Sequence, residues 1–109
     1  MATVYILNTP VITAYGNWQF SGPLTIAHAQ EILHEGFISA IGHHGTAELL
    51  SNLLGIKIPT NRIQIEMQPG DKALVFRLKQ RVEEGKVFSK EEIAQLPFEL
   101  GLLTRILEL

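Results

Sequence analysis

Two adjacent histidines stand between two glycines in the sequence Gly42-His43-His44-Gly45. The hydrophobic pattern predicts a strand before this junction and a helix after it, with Thr46 as the helix N-cap. The N–H groups of a first helical turn and the helix dipole favour an anion at such a position. An imidazole beside a bound phosphate can transfer protons. The junction therefore indicates an anion site with acid–base chemistry, and surface or capping histidines are the alternative interpretation.

A metal site is a second use for paired histidines. Adjacent residues such as His43 and His44 generally cannot converge on one ion, however, and no carboxylate stands at an obvious partner spacing. The chain has no cysteine, which excludes disulfides, thiolate nucleophiles and thiolate metal ligands. We therefore expect no metal and no cofactor.

A second candidate block combines an amide, a guanidinium, carboxylates and an ammonium group. Its sequence is Gln80-Arg81-Val82-Glu83-Glu84-Gly85-Lys86. Arginine can hold a phosphate through a bidentate fork and can stack on a base, and neither contact needs a metal. A solvated surface loop is the default interpretation of such a block.

Several protein classes are disfavoured by the sequence. It contains no Walker loop, dinucleotide fingerprint or nucleophilic serine elbow. A net charge of −2 argues against the broad basic surface that holds duplex nucleic acid. No apolar stretch approaches the roughly 18 to 20 residues of a membrane span, and the N-terminus does not resemble a signal peptide. We expect a soluble cytoplasmic protein that contacts neither duplex nucleic acid nor a membrane.

The 109 residues suffice for one domain, which we assign to 1–109. Apolar residues make up 46% and charged residues 18% of the chain, a balance that indicates folding throughout. The mean hydropathy of +0.16 is high for a small soluble monomer. Excess apolar surface of this kind favours a subunit interface.

The first half of the chain predicts two extended segments and a helix. Residues 3–7 are apolar on both sides, as in a strand covered on both faces. An extended segment or loose hairpin is predicted over 11–20. Thr25 caps a helix that runs to about Glu35, and Gly36 ends it.

The predicted elements after Gly36 continue to include both strands and a helix. A short strand is predicted over 37–41, and the helix capped by Thr46 ends at Gly55. The alternation of Ile and Met with polar residues over 63–67 predicts a half-buried strand. Pro69-Gly70 suits the centre of a type II turn, after which 73–78 is predicted to pair back as a hairpin.

The last part of the chain predicts one helix and one strand. Ser89 and Glu92 form a capping box that opens a short helix ending near Pro97. Residues 98–109 fit a strand or a helix, and we favour a final strand. The fold class is therefore α/β, with a mixed central sheet flanked by helices in a single small domain that dimerises.

Four segments in this order resemble those of one family. They are Val4–Asn8, Ser39–His43 with Thr46, Asn61-Arg62, and Gln80–Lys86. With them, the chain resembles the viral anti-CRISPR ring nucleases of type III systems and their cellular and prophage relatives over essentially its whole length. The combination of the Ile-Gly-His junction with the later charged block is specific, whereas neither segment is specific alone.

The resemblance implies a homodimer that binds cyclic tetra-adenylate, a ring-shaped RNA messenger, across its two-fold interface and closes a loop over it. In such enzymes a ribose 2′-OH attacks the neighbouring phosphate, which yields di-adenylate with a 2′,3′-cyclic phosphate and a 5′-OH. The reaction requires no metal and no hydrolytic water. The expected function is thus a metal-independent ring nuclease that switches off type III CRISPR signalling.

The same resemblance assigns roles to residues. His43 is the expected general acid for the departing 5′-oxygen, Arg81 stabilises the phosphorane, and Glu84 orients His43 or the 2′-OH. Family members carry a serine a few residues after the early asparagine, and this chain offers the hydroxyl of Thr9 instead. Ligand contacts are expected from Asn8, Thr9, Gly42, Thr46, Gln80 and Lys86.

Two other functions fit the sequence. A non-catalytic protein that sequesters a cyclic oligonucleotide would also need a closed pocket and a dimer. An interaction protein without a nucleotide ligand would account for the apolar composition alone. The pairing of His43 with Arg81 favours the enzyme over the sequestering protein.

Overall fold

The computed structural model describes residues 3–9, 11–12, 14–78 and 98–107. Seven elements follow one another along these residues. They are β1 (Val4–Leu7), β2 (Trp18–Ser21), α1 (Ile26–Leu33), β3 (Ile38–Ser39), α2 (His44–Leu54), β4 (Lys72–Leu78) and β5 (Phe98–Arg105).

The strands form one mixed sheet in the order β2-β5-β4-β1-β3. β1 pairs in parallel with β3 and with β4, so that Tyr5 lies between Ile38 and Ala73. β5 is antiparallel to β4 and to β2. Because parallel strands run in the same direction, β1, β3 and β4 all end at one margin of the sheet, which we call the carboxyl edge.

Both described helices pack on one face of the sheet. Ile6, Leu74, Phe76 and Leu100 supply the strand side chains of this buried cluster. The helices contribute Ala29 and Leu33 from α1, and Ala47, Leu49, Leu50 and Leu54 from α2. This is the single-domain α/β fold that the sequence predicts.

The opposite face of the sheet is covered by irregular chain rather than by a described helix. Leu7, Ala73, Val75 and Leu103 form its buried cluster together with Met67, and Ile65 and Trp18 pack against it. β1 therefore buries Ile6 on one face and Leu7 on the other. The prediction of a strand covered on both faces is confirmed.

Local signals located several element ends correctly. The Thr25 hydroxyl accepts a hydrogen bond from the His28 N–H at 3.1 Å, as an N-cap should. Gly55 ends α2 in the left-handed region at φ 66, with its N–H donated to the Ser51 carbonyl. The final strand is confirmed as β5, whereas β3 is shorter than the predicted 37–41 and β2 covers only the end of 11–20.

The predicted start of the second helix is wrong. α2 begins at His44 and its N-cap is His43, in the extended region, so Thr46 lies inside the first turn. The His43 carbonyl accepts from the Ala47 N–H at 3.0 Å and closes that turn. A side-chain cap contributes only about 1 kcal/mol, so burial of Gly45 and Ala47 against the fold outweighs it.

The predicted hairpin is also wrong, although its turn is correct. Gly70 has φ 93, and the Asp71 N–H donates to the Gln68 carbonyl at 2.9 Å. Both edges of β4 are occupied by β1 and β5, so no edge remains for residues 63–67. These residues form no described strand and pack on the sheet face instead.

The predicted capping box at Ser89 and Glu92 lies outside the described residues. In the described part of the chain, no helix is long and apolar enough to cross a membrane.

Candidate functional site at the carboxyl edge

A cleft of about 670 Å³ opens where the parallel strands end. Asn8 follows β1 directly and Ala40 follows β3, and both residues line the cleft. The remaining lining residues are Leu7, Thr9, Val11, Ile63, Gln64, Ile65 and Glu66. Ligand sites in open α/β sheets favour this position, outside the carboxyl ends of the strands.

The two early ligand candidates of the sequence lie in this cleft. Asn8 is half-buried and Thr9 is exposed. Each carries a hydrogen-bonding side chain at the end of β1, while Leu7 is held in the sheet core. The structure therefore brings Asn8 and Thr9 together on the cleft wall.

His43 is the N-cap of α2 and follows Ala40, which lines the cleft, by three residues. Its side chain is exposed and makes no capping hydrogen bond to the helix. Because the first helical turn contains no acidic residue, its N–H groups and dipole keep their preference for an anion. Thr46 contributes one of these N–H groups rather than a cap.

A short hydrogen-bonded clamp fixes the chain just before Gly42. The Asn61 N–H donates to the Ile41 carbonyl at 2.8 Å, and the Asn61 side-chain amide donates to the Ser39 carbonyl at 2.8 Å. The Ser39 hydroxyl donates to the Pro59 carbonyl at 2.6 Å. The loop 59–62 is thereby held against the end of β3.

The hydrogen bonds of this clamp hold Arg62 against Gly42. A Cβ on Gly42 would lie 3.4 Å from Arg62 Cγ and 3.5 Å from Arg62 Nε. Arg62 is exposed, and its neighbour Ile63 lines the cleft. An always-charged guanidinium therefore lies next to His43 at the helix N-terminus. Sequence reasoning missed Arg62 as a site residue, because no local pattern pairs residues 42 and 62.

His44 is turned to a different surface. Its Nδ1 lies 3.4 Å from the Thr60 hydroxyl and its Nε2 lies 3.8 Å from a carboxylate oxygen of Glu48. It lines a separate groove of about 440 Å³ together with Lys57. With its side chain 71% exposed, His44 is arranged as a surface residue.

Four predicted site residues lie outside the described part of the chain: Gln80, Arg81, Glu84 and Lys86. The described range that precedes these four residues ends at Leu78, the last residue of β4, at the carboxyl edge. No three histidine or carboxylate side chains within the described ranges could hold a metal ion.

Among the described residues, Tyr5 in β1 has a shifted pKa. Burial raises the pKa of the Tyr5 phenol above its ordinary value, and the nearby carboxylate of Asp71 raises it further. The phenol therefore stays neutral at pH 7.

Similar proteins occur in viruses and in a bacterium. A family model described as STIV B116-like matches residues 4–100. Uncharacterized protein 26 of Sulfolobus islandicus filamentous virus (isolate Iceland/Hveragerdi) is 42% identical over 104 residues, which cover 91% of this chain and 88% of that protein. Uncharacterized protein YddF of Bacillus subtilis (strain 168) is 30% identical over 106 residues, which cover 94% and 97%.

The fold has a counterpart among solved structures. B116 of Sulfolobus turreted icosahedral virus (STIV) superimposes with a TM-score of 0.79 at 27% sequence identity. The similarity covers 95% of this chain and 100% of that chain. It therefore extends beyond the sheet to the whole domain.

Proposed function

This chain belongs to the STIV B116-like family, and from that premise we propose that it is a metal-independent ring nuclease. Its substrate is cyclic tetra-adenylate, and its products are di-adenylates that carry a 2′,3′-cyclic phosphate. The active form is a homodimer. The biological consequence is the end of a type III CRISPR signal.

The position of His43 carries this proposal. The side chain is exposed at a helix N-terminus and does not cap that helix. His43 follows Ala40, which lines the large cleft, by three residues. A phosphate held by the first-turn N–H groups of α2 would lie within reach of such an imidazole. A general acid needs this proximity before any other property.

Phosphate binding is supported by a second group at the same corner. Arg62, packed over Gly42, can donate two parallel hydrogen bonds to a phosphate. The net charge of the chain is −2, so this binding depends on a shaped local site rather than on a basic surface. A cleft of about 670 Å³ lies within the usual range for small-molecule sites of roughly 300–1,000 Å³.

Chain connectivity supports a role for Arg81 at the same edge. Leu7, the last residue of β1, pairs with Val75, and β4 runs three residues further in the same direction to Leu78. Arg81 follows Leu78 by three residues in the sequence. Glu84 follows in the same segment, and both keep the roles that the resemblance implies.

In the proposed reaction, a ribose 2′-hydroxyl gives its proton to solvent water while its oxygen attacks the adjacent phosphorus and displaces the 5′-oxygen. The new P–O2′ bond closes the cyclic phosphate, and the broken P–O5′ bond releases an alkoxide that takes its proton from His43. Arg81 and Arg62 offset the charge on the phosphorane. Asn8 and Thr9 orient the ring in the cleft.

Incubation of the purified protein with labelled cyclic tetra-adenylate in EDTA tests the proposal. We expect linear di-adenylate that ends in a 2′,3′-cyclic phosphate. Intact ring recovered from a tight complex would instead identify a sequestering protein. An unchanged melting temperature at saturating ligand would reject both, because a ligand that binds only the native state raises its stability.

A further inference from the structure

Two stretches of irregular chain line most of the cleft at the carboxyl edge. The early stretch follows β1 and supplies Asn8, Thr9 and Val11, and the late stretch supplies residues 63–66. In the described chain neither stretch belongs to a helix or a strand. Contacts outside the sheet ladder must therefore hold the two stretches in place, because chain without such contacts opens locally at little cost in free energy.

The side chain of Arg105, the last residue of β5, connects the two stretches. Its Nη1 donates to the Met67 carbonyl at 2.6 Å, and its Nη2 donates to the Tyr15 carbonyl at 3.1 Å. Met67 follows Glu66, which lines the cleft, and Tyr15 follows Val11, which also lines it, by four residues. One planar guanidinium with donors in a fixed fork thus holds a carbonyl on each side. We call these two hydrogen bonds the Arg105 bridge.

A tryptophan fixes the position of this guanidinium. Trp18 in β2 pairs with Arg105 across the antiparallel ladder, so both side chains lie on the same face of the sheet. The guanidinium carbon lies 5.7 Å from the centre of the indole ring, within the range of a cation–π contact. The indole N–H donates to the Ala14 carbonyl at 3.2 Å and anchors the early stretch a second time.

The backbone at Arg105 is fixed as well. Its N–H donates to the Asp71 carbonyl at 3.0 Å, and its carbonyl accepts from the Gly70 N–H at 2.8 Å. The next residue, Ile106, donates its N–H to the Asn17 carbonyl at 2.8 Å. Because its backbone and its guanidinium are both held, Arg105 can act as a spacer of defined length between the two stretches.

We propose that Arg105 is a positioning residue, which sets the separation of the early and late stretches and so keeps the cleft in the shape that binds the ring. The identity of that ligand rests on the proposed function, whereas the bridge is independent of it. Arg105 does not line the cleft, so it acts through the carbonyls of Met67 and Tyr15. His43 is held by the first turn of α2 instead, so Arg105 affects binding and not the cleavage step.

Two substitutions separate the shape of the Arg105 side chain from its charge. Arg105→Lys keeps the charge and loses the planar fork, and Arg105→Met keeps an apolar stem over Trp18 and loses every donor. We expect both to raise the dissociation constant of cyclic tetra-adenylate by roughly threefold to thirtyfold, because only a fraction of the molecules would keep the binding-competent cleft. The single-turnover rate at saturating ring should stay within about twofold of the wild-type rate.

The separation of the two stretches is measured directly and without a ligand. The chain has no cysteine, so Tyr15→Cys with Glu66→Cys gives two exposed positions for spin labels. Electron–electron double resonance on labelled protein diluted in unlabelled protein then reports the distance within one subunit. We expect a narrow distribution with Arg105 and a broader one in both Arg105 variants.

Ser51→Ala is the control for a general loss of stability. The Ser51 hydroxyl accepts from the Ile58 N–H at 2.9 Å and donates to the Ala47 carbonyl at 2.8 Å, beside the separate groove. Its removal should lower the melting temperature and leave the label distance and the ring affinity unchanged. If Arg105→Met fails to fold, Arg105→Lys supplies the comparison at its own melting temperature.

An unchanged label distance in the Arg105 variants would overturn the proposal, and so would a broadened distance with unchanged ring affinity. Wild-type affinity in Arg105→Lys would also overturn it, since charge rather than shape would then suffice. If the wild-type protein neither binds nor cleaves the ring, the proposed function fails. A distance that still broadens in the Arg105 variants would then support the bridge as the element that sets the cleft.

Discussion

Arg62 packs over Gly42, with its Nε 3.5 Å from the position that a Cβ on residue 42 would occupy. The two residues are brought together by Asn61, which is hydrogen-bonded to Ser39 and Ile41 just before Gly42. This contact places a fixed positive charge beside His43 at the start of α2. The helix N-terminus and Arg62 together form a candidate phosphate site. The backbone N–H groups of α2 and the guanidinium can both donate hydrogen bonds there.

Arg62→Met removes the charge and keeps much of the apolar stem that covers Gly42. We expect the affinity for cyclic tetra-adenylate to fall by roughly tenfold to a hundredfold, since hydrogen bonds to charged groups contribute roughly 1.5–3 kcal/mol. Isothermal titration measures this change. Lys57→Met, in the separate groove with His44, is the matched control and should bind as the wild type does.

Substitutions at Gly42 test the contact from the other side. Gly42→Ala adds a methyl group at ordinary van der Waals distance from Arg62, so we expect normal folding and nearly normal affinity. Gly42→Leu needs the space that Arg62 occupies and should reduce affinity as much as Arg62→Met does. Equal affinities of the two Gly42 variants would show that this contact does not position the guanidinium.

The sequence predicts elements well where the signal is local. Thr25 at the start of α1 and Gly55 at the end of α2 act through their own backbone neighbourhood, so their types suffice to locate those ends. The alternation over 63–67 correctly predicts the burial of Ile65 and Met67, whereas Ile63 is 44% exposed. It could not identify a partner strand, because the edges of β4 are taken by β1 and β5, which are distant in sequence.

The site residues also divide into those that have a local sequence signal and those that do not. The sequence indicates Gly42 and His43 as site residues, because a predicted strand ends there and glycines stand on both sides of the histidines. It indicates Asn8 because this residue ends the first predicted strand. The sequence does not indicate Arg62 as a site residue, because its position depends on tertiary hydrogen bonds from Asn61. Thr46 was misassigned as a cap because packing of α2 against the sheet outweighs the preference of one side chain.

Asp71 is expected to be a stability residue rather than a site residue. It is 5% exposed, and its carboxylate accepts hydrogen bonds from the Thr3 N–H at 2.9 Å and the Gln68 N–H at 2.8 Å. Asp71→Ala leaves both donors unpaired and should lower the free energy of unfolding by about 3 kcal/mol. Urea denaturation measures the loss.

Glu48→Ala is the control for this carboxylate. Its contact with His44 at 3.8 Å is largely exposed, so its removal should change the free energy of unfolding by less than about 0.5 kcal/mol. Similar losses in the two variants would contradict the structural role of Asp71.

A ring whose riboses lack the 2′-hydroxyl should bind and resist cleavage, because the attacking atom is absent. A rise in melting temperature on adding this analogue would establish binding. Gel analysis of the same mixture would reveal any linear product. Cleavage of the analogue would mean that water, and not the substrate hydroxyl, attacks the phosphorus.

The single-turnover cleavage rate of His43→Ala on cyclic tetra-adenylate in EDTA tests the central assignment most directly. We expect a loss of roughly 10²- to 10⁴-fold, the usual scale of general acid catalysis, with binding retained. His44→Ala should cleave at close to the wild-type rate, because its ring faces Thr60 and Glu48. A nearly normal rate for His43→Ala would contradict the assignment, whether or not His44→Ala is active.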